Sequence, residues 1–188
     1  MIVLGHDPPT GVTAIRVGAL GVEFAGTWNI DVTSVAAVRA ILDSLGEPVA
    51  LLGVEQPEGV YRFGKDVNQH DAQKAMKARV AITRDLMVTR GRGERFAAVV
   101  EVLCPGVRVF YATADKIRRA VLSPLPHPAT KTALDRHVAA MVPRLIRGWP
   151  ERSNDHNRDA AVAALWAVRE ARIPAALRVQ PKRNKRSR

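Results

Sequence analysis

The sequence predicts an α/β domain in which an antiparallel opening of three strands is joined to parallel strands by helical crossovers. Three observations carry this expectation. The chain opens on β-rich runs separated by turn residues, an unbroken apolar run VALLGV stands alone between polar stretches, and the remaining segments repeat apolar residues at helical spacing. Residues 2–7, IVLGHD, form a first strand ending on an acid, and DPPTG supplies the turn before a second strand over 12–17. Gly18 and Gly21 bracket another turn, and the weak alternation of 22–28 completes a meander. Thr33 or Ser34 caps a helix whose Val35, Val38, Ile41, Leu42 and Leu45 share a face, and Gly46 with Pro48 stops it. VALLGV, opened by Pro48 and closed by Glu55, lacks polar alternation and so suits a central strand covered on both faces.

Residues 56–68 read as a polar loop. Ala72, Ala75, Met76, Val80 and Thr83 then predict a helix over 69–89, and the glycines of RGRGERF predict a loop or a helix end. Residues 96–103 extend or restart a helix, and VRVFY at 107–111 is a further strand. A short helix over 114–122, the proline-bearing loop SPLPHPAT and a helix over 130–146 follow, with Pro143 expected to kink or end the last of these. The final helix begins near Asn154, carries the small residues Ala160, Ala161, Ala163 and Ala164 that permit close packing, and stops at Pro174. There is no internal repeat. The expected organisation is one domain over 1–174 and a basic, disordered tail over 175–188.

The 188 residues are 47% hydrophobic and 25% charged, the balance of a domain with one core, which excludes disorder as the dominant state. No apolar run approaches the roughly 18–20 residues that span a bilayer, and the N-terminus reaches an Asp and two prolines too early for a secretory segment, so a soluble, cytoplasmic protein is expected. Cys104, the one cysteine, excludes an intramolecular disulfide and a thiolate zinc cage. Net charge is +11; six of those charges lie in the last eleven residues, which leaves +5 on the rest of the chain. That excess predicts a polyanionic partner, with nucleic acid first. Lys74, Lys77, Arg79, Arg84, Arg90, Arg92 and Arg95, with few acids between them, suit a DNA channel better than a merely solvated helix face.

Against this basic background the acids are placed at strand ends. Asp7 closes the first strand and Glu55 closes the central one, and the edge outside the carboxyl ends of parallel strands is where open α/β sheets bind ligands. In NDHNRDAA, His156 and Asp159 are three residues apart and share a helical face, beside Asp155 at the cap or in the first turn. Singly, each of these is a strand terminator, a cap or a solvated charge. Together they are hard oxygen donors and one imidazole, a set suited to Mg²⁺ or Mn²⁺. A pair of such ions roughly 4 Å apart activates water for phosphodiester hydrolysis.

In their order along the chain, these segments resemble the RuvC Holliday-junction resolvases of the RNase H-like nuclease superfamily. MIVLGHDPPTG is similar to that family's first strand and acid, VALLGVEQ to its central strand and second acid, and HNRDAAVAAL to its last-helix motif. VFYATADKIRRAVLS and ATKTALDRHVAAMV resemble the segments between, with Lys131 in the place of a loop lysine. The resemblance covers residues 1–170. It implies an RNase H-like mixed sheet, two Mg²⁺ ions held by Asp7, Glu55, His156 and Asp159, with Mn²⁺ able to substitute, and Lys131 stabilising charge at the scissile phosphate. It also implies a homodimer that makes paired symmetric nicks in four-way DNA during recombination and repair, a branch-migration helicase as partner, and a bacterial or phage setting.

Two departures stand out. Pro9 occupies the place of a glycine, and QPEGVYRFGK is longer than the matching family segment, leaving Tyr61 or Phe63 to stack on unpaired bases and Lys65 to contact phosphate. An RNase H-like nuclease on other branched DNA or RNA, and a non-catalytic basic DNA-binding module, remain alternatives at this point. A nucleotide-binding relative of the actin and sugar-kinase fold ranks last, because Pro8 and Pro9 remove two N–H groups from its phosphate turn.

Overall fold

Side-chain alternation along β1 (Ile2–Asp7) decides how the protein is layered. Ile2 and Leu4 point to one face and Val3 to the other, each with no solvent exposure, so both faces of this strand need a cover of helices. β1 pairs antiparallel with β2 (Gly11–Gly18), which pairs antiparallel with β3 (Gly21–Asn29). On its other side β1 pairs parallel with β4 (Val49–Gln56), and β4 pairs parallel with β5 (Arg108–Thr113). The five-stranded order is β3-β2-β1-β4-β5. It is the mixed sheet expected from the sequence, in a computed structural model that describes residues 1–32, 34–57, 72–127 and 130–172, without the side chains of 72–83.

One face carries α1 (Val35–Leu45) and α2 (Ala72–Leu103), whose Val38, Ile41, Phe96 and Val100 pack on Ile2, Leu4, Leu52 and Val54. The other carries α3 (Ala114–Leu122), α4 (Lys131–Leu145) and α5 (Asp155–Arg172), built around Ile117, Val138, Val142 and Trp166 over Val3, Ile15 and Leu51. Ser34 is the N-cap of α1, its hydroxyl accepting from the Ala37 N–H, and Gly46 closes that helix in the left-handed conformation with φ of 66°. Among the described residues no helix is long and apolar enough to cross a membrane.

One local expectation is corrected. The glycines of RGRGERF neither end a helix nor open a loop: α2 runs through them to Leu103. A Cβ at Gly93 would stand 3.1 Å from Val54 Cγ1 and 3.2 Å from Pro8 Cγ, so packing on the strand ends explains that glycine. Nothing in the structure explains Gly91. Pro143 lies in the last turn of α4, which ends at Leu145 with Ile146 as its C-cap.

Helix α5 reaches deepest toward the sheet, and glycine makes this possible. Gly5 on β1 and Gly53 on β4 are register partners, and a Cβ on either would collide with α5 backbone, at 1.7 Å from Ala160 O and 2.2 Å from Ala163 O respectively. The run of alanines facing them, all buried, adds no bulk. Thr13 Oγ1 donates to Asn157 O at 2.8 Å and ties the first turn of α5 to β2.

Candidate active site

Because strand side chains alternate, Asp7 and Glu55 lie on the same face as Gly5 and Gly53, two residues further toward the carboxyl ends. Both therefore face α5, one step beyond the His6↔Val54 pair of the parallel register. The first turns of α5 supply the third and fourth groups. Asn154 is the cap, its Oδ1 accepting from Asn157 N at 2.8 Å, while Asp155 stays exposed in the first turn and pairs with Arg158. His156 Nδ1 stands 2.7 Å from Asp7 Oδ2, which reads as the ring N–H donating to the carboxylate, on a half-exposed side chain. Three residues later Asp159 comes onto the same side, where Arg118 Nη2 of α3 donates to its Oδ2 at 2.8 Å.

Burial acts on all three carboxyls. The Glu55 carboxyl is pushed up to about 8, mainly by loss of water and then by the charges of Asp7 and Asp159, with Arg118 opposing. Asp7 rises to about 6, again through burial first; the hydrogen bond from His156 pulls it down and the Asp159 charge pushes it up. Asp159 is raised by burial against the opposing pull of Arg118. At the carboxyl end of the parallel strands, in a chain of charge +11, the charges of Asp7 and Asp159 thus raise Glu55 and that of Asp159 raises Asp7.

The site's donor chemistry fits a divalent ion, since three hard oxygen groups and an imidazole converge from β1, β4 and α5. Among the described residues no three of these groups stand in a ready-made coordination geometry. In the observed arrangement Asp7 is tied to His156 and Asp159 to Arg118.

Sequence reasoning missed Arg118. No spacing marks it, but it sits one turn into the helix that directly follows β5, the parallel neighbour of the Glu55 strand, and that connectivity is the signal that finds it. Its burial opposes its charge, while Asp159, Glu55 and Asp135 together more than offset this and raise its pKa. Beside it a cavity of about 290 Å³ is lined by Glu55, Gln56, Asp115, Leu125 and Leu134 among others.

Lys131 is the first residue of α4 and is exposed, one turn before Leu134 of the cavity wall. Arg84 is exposed on α2. Lys74, Lys77 and Arg79 belong to the same helix, but their side chains lie outside the described set, as do Tyr61, Phe63 and Lys65 altogether.

No family profile matches the chain, and no curated protein sequence matches it. Solved structures do. The chain is similar to the RuvC of T. thermophilus in complex with Holliday junction substrate, with a TM-score of 0.60 at 18% identity, over 92% of this chain and 95% of that one. It is also similar to a second Thermus thermophilus RuvC structure, with a TM-score of 0.51 at 19% identity, over 92% of this chain and 96% of that one. The architecture is thus of the RNase H-like class. Within that class the fold is that of RuvC.

Proposed function

We propose that this protein is a metal-dependent endonuclease acting on four-way DNA junctions, with Asp7, Glu55, His156 and Asp159 as its metal-binding set. The observation that carries the proposal is the gathering of Asp7, Glu55 and Asp159, close enough that their charges raise Glu55 and Asp7, at the carboxyl edge of a RuvC-fold sheet. The similar T. thermophilus RuvC is recorded with a Holliday junction as substrate. Once ionised, Asp7, Glu55 and Asp159 offer oxygen donors to two Mg²⁺ ions, or to Mn²⁺ in their place. Such ions supply Lewis acidity for phosphodiester hydrolysis, activating water and neutralising charge on the phosphoryl oxygens.

The protein's own groups complete the site. His156 Nδ1–H holds the Asp7 carboxylate in one orientation. Lys131, exposed at the start of α4, neutralises charge that develops on the scissile phosphate. Arg84, with Lys74, Lys77 and Arg79 along the same helix, binds the DNA backbone, while Tyr61, Phe63 and Lys65 act at the unpaired crossover. A homodimer matches the twofold substrate and cuts both strands symmetrically, in cytoplasmic recombination and repair alongside a branch-migration helicase.

The test is substitution of the acids. Asp7→Asn, Glu55→Gln and Asp159→Asn should each abolish Mg²⁺-dependent cleavage of a labelled junction and leave its binding within about threefold, since phosphate contacts come from the basic surface. Variants that cut at the wild-type rate would remove the carboxyls from the chemistry.

A further inference from the structure

We infer that Arg118 is the resident counter-cation of the carboxylate cluster and must give up Asp159 before a divalent ion can settle there, so that this arginine sets how tightly the site takes its metal. The inference rests on the metal-dependent reading above and goes beyond it by assigning a control of affinity to one residue.

Four observations support it. The Arg118–Asp159 pair is close, at 2.8 Å, and shielded, with side chains 18% and 17% exposed, so its attraction is screened far less than that of a surface pair. Arg118 lines the same cavity as Glu55, whose charge, after that of Asp159, stabilises the guanidinium. It is also incompletely engaged: its Nε is buried with no partner among the described residues. A group held by part of its fork can change acceptor without breaking a saturated network. Finally, it has somewhere to go. The adjacent cavity opens beside it, and Asp135 of α4, besides the two cluster acids, already attracts the arginine. Ile117 and Leu122, fully buried, keep α3 in place while the side chain moves.

Metal entry is then an exchange of one cation for another at Asp159. A divalent ion and an unmoved guanidinium would meet as like charges in a poorly solvated site, which disfavours their coexistence. In the metal-free protein Arg118 compensates the acids, and its removal leaves them both less stable and more avid for metal.

The experiment is calorimetric titration of MnCl₂ into the metal-stripped full chain, for the wild type, Arg118→Gln, Arg118→Lys and the control Arg119→Gln. Arg119→Gln makes the same change in net charge at an exposed pair with Asp115. Arg118→Gln should bind Mn²⁺ on the order of tenfold more tightly, the ratio expected when a competing charged hydrogen bond is removed. Its Tm in EDTA should fall and its metal-induced rise in Tm should grow. Arg118→Lys and Arg119→Gln should both stay near the wild-type affinity.

Equal or weaker Mn²⁺ binding by Arg118→Gln overturns the inference and leaves the metal-dependent reading standing. Absence of binding by every protein at millimolar Mn²⁺ removes that reading and the inference with it. Should Arg118→Gln fail to give the wild-type circular dichroism spectrum, the wild type decides. Its Arg118 Nε–H resonance, assigned by its loss in Arg118→Lys, should shift on Mg²⁺ addition, and an unmoved resonance overturns the exchange.

Discussion

Replacing Gly5 by alanine tests the packing that assembles the site. Alanine is ordinarily the better strand residue, because glycine loses more backbone freedom on folding, by roughly 0.5–1 kcal/mol. Here the new Cβ would fall 1.7 Å from Ala160 O and 2.6 Å from Ala164 N. These are backbone atoms inside a helix and cannot rotate aside, so α5 must retreat by about 1.5 Å to restore an ordinary carbon–oxygen separation of roughly 3.3 Å. That movement carries His156 away from Asp7, to which it is now bonded at 2.7 Å. Overpacking of this kind costs about 3 kcal/mol at its upper range, so the net loss is on the order of 2 kcal/mol after the backbone gain. For a chain of this size the expected fall in Tm is roughly 4–8 °C. Thermal unfolding by circular dichroism measures it, with Gly18→Ala as control: nothing lies within 4 Å of a Cβ there, and its Tm should hold within about 2 °C. Equal Tm values for the two variants would refute the claim that glycine sets the depth of α5.

Two further outcomes follow from the site. Asp7 near 6 and Glu55 near 8 are both raised above ordinary carboxyls, so above pH of about 4 the folded protein keeps protons that the unfolded chain has lost. Buried His6, lowered to about 4, acts in the opposite sense and offsets the Asp7 contribution up to about pH 6.5. Metal-free stability should therefore fall most clearly as pH climbs from about 6.5 to 8 and level off beyond, and Glu55→Gln should flatten that fall; urea midpoints in EDTA check it, and a rise over this window would contradict the shift of Glu55. Lys131→Ala should lower the single-turnover cleavage rate by on the order of a hundredfold and change junction affinity by less than about threefold. Equal losses in both would make Lys131 a binding residue.

Much of this architecture is legible in the chain because local and global signals agree. A short apolar run with an acid at its end marks β1, and the unbroken VALLGV marks β4, so parallel pairing alone brings Asp7 and Glu55 to one edge. The spacing of His156 and Asp159, followed by alanines, announces a helix that docks closely on that edge, and it does. Legibility fails where tertiary contact overrides a local preference. Gly93 reads as a breaker along the chain, yet it is the residue that lets α2 lie against Val54 and Pro8. Asp155 competes with Asn154 for the cap by residue type alone, and only the contact to Asn157 N assigns it to Asn154. Arg118 carries no motif; its meaning comes from the helix that follows β5 and from the carboxyls it meets, neither of which is local in sequence.

The most direct test of the central claim is cleavage of an end-labelled immobile four-way junction by the purified protein in Mg²⁺, beside linear duplex, flap and RNA/DNA hybrid, with Asp7→Asn in parallel. The account predicts paired nicks at symmetric positions in the junction, none in the duplex and none with the variant. Tight junction binding without cleavage in Mg²⁺ or Mn²⁺ would contradict the nuclease assignment, and cleavage confined to the flap or hybrid would contradict the substrate.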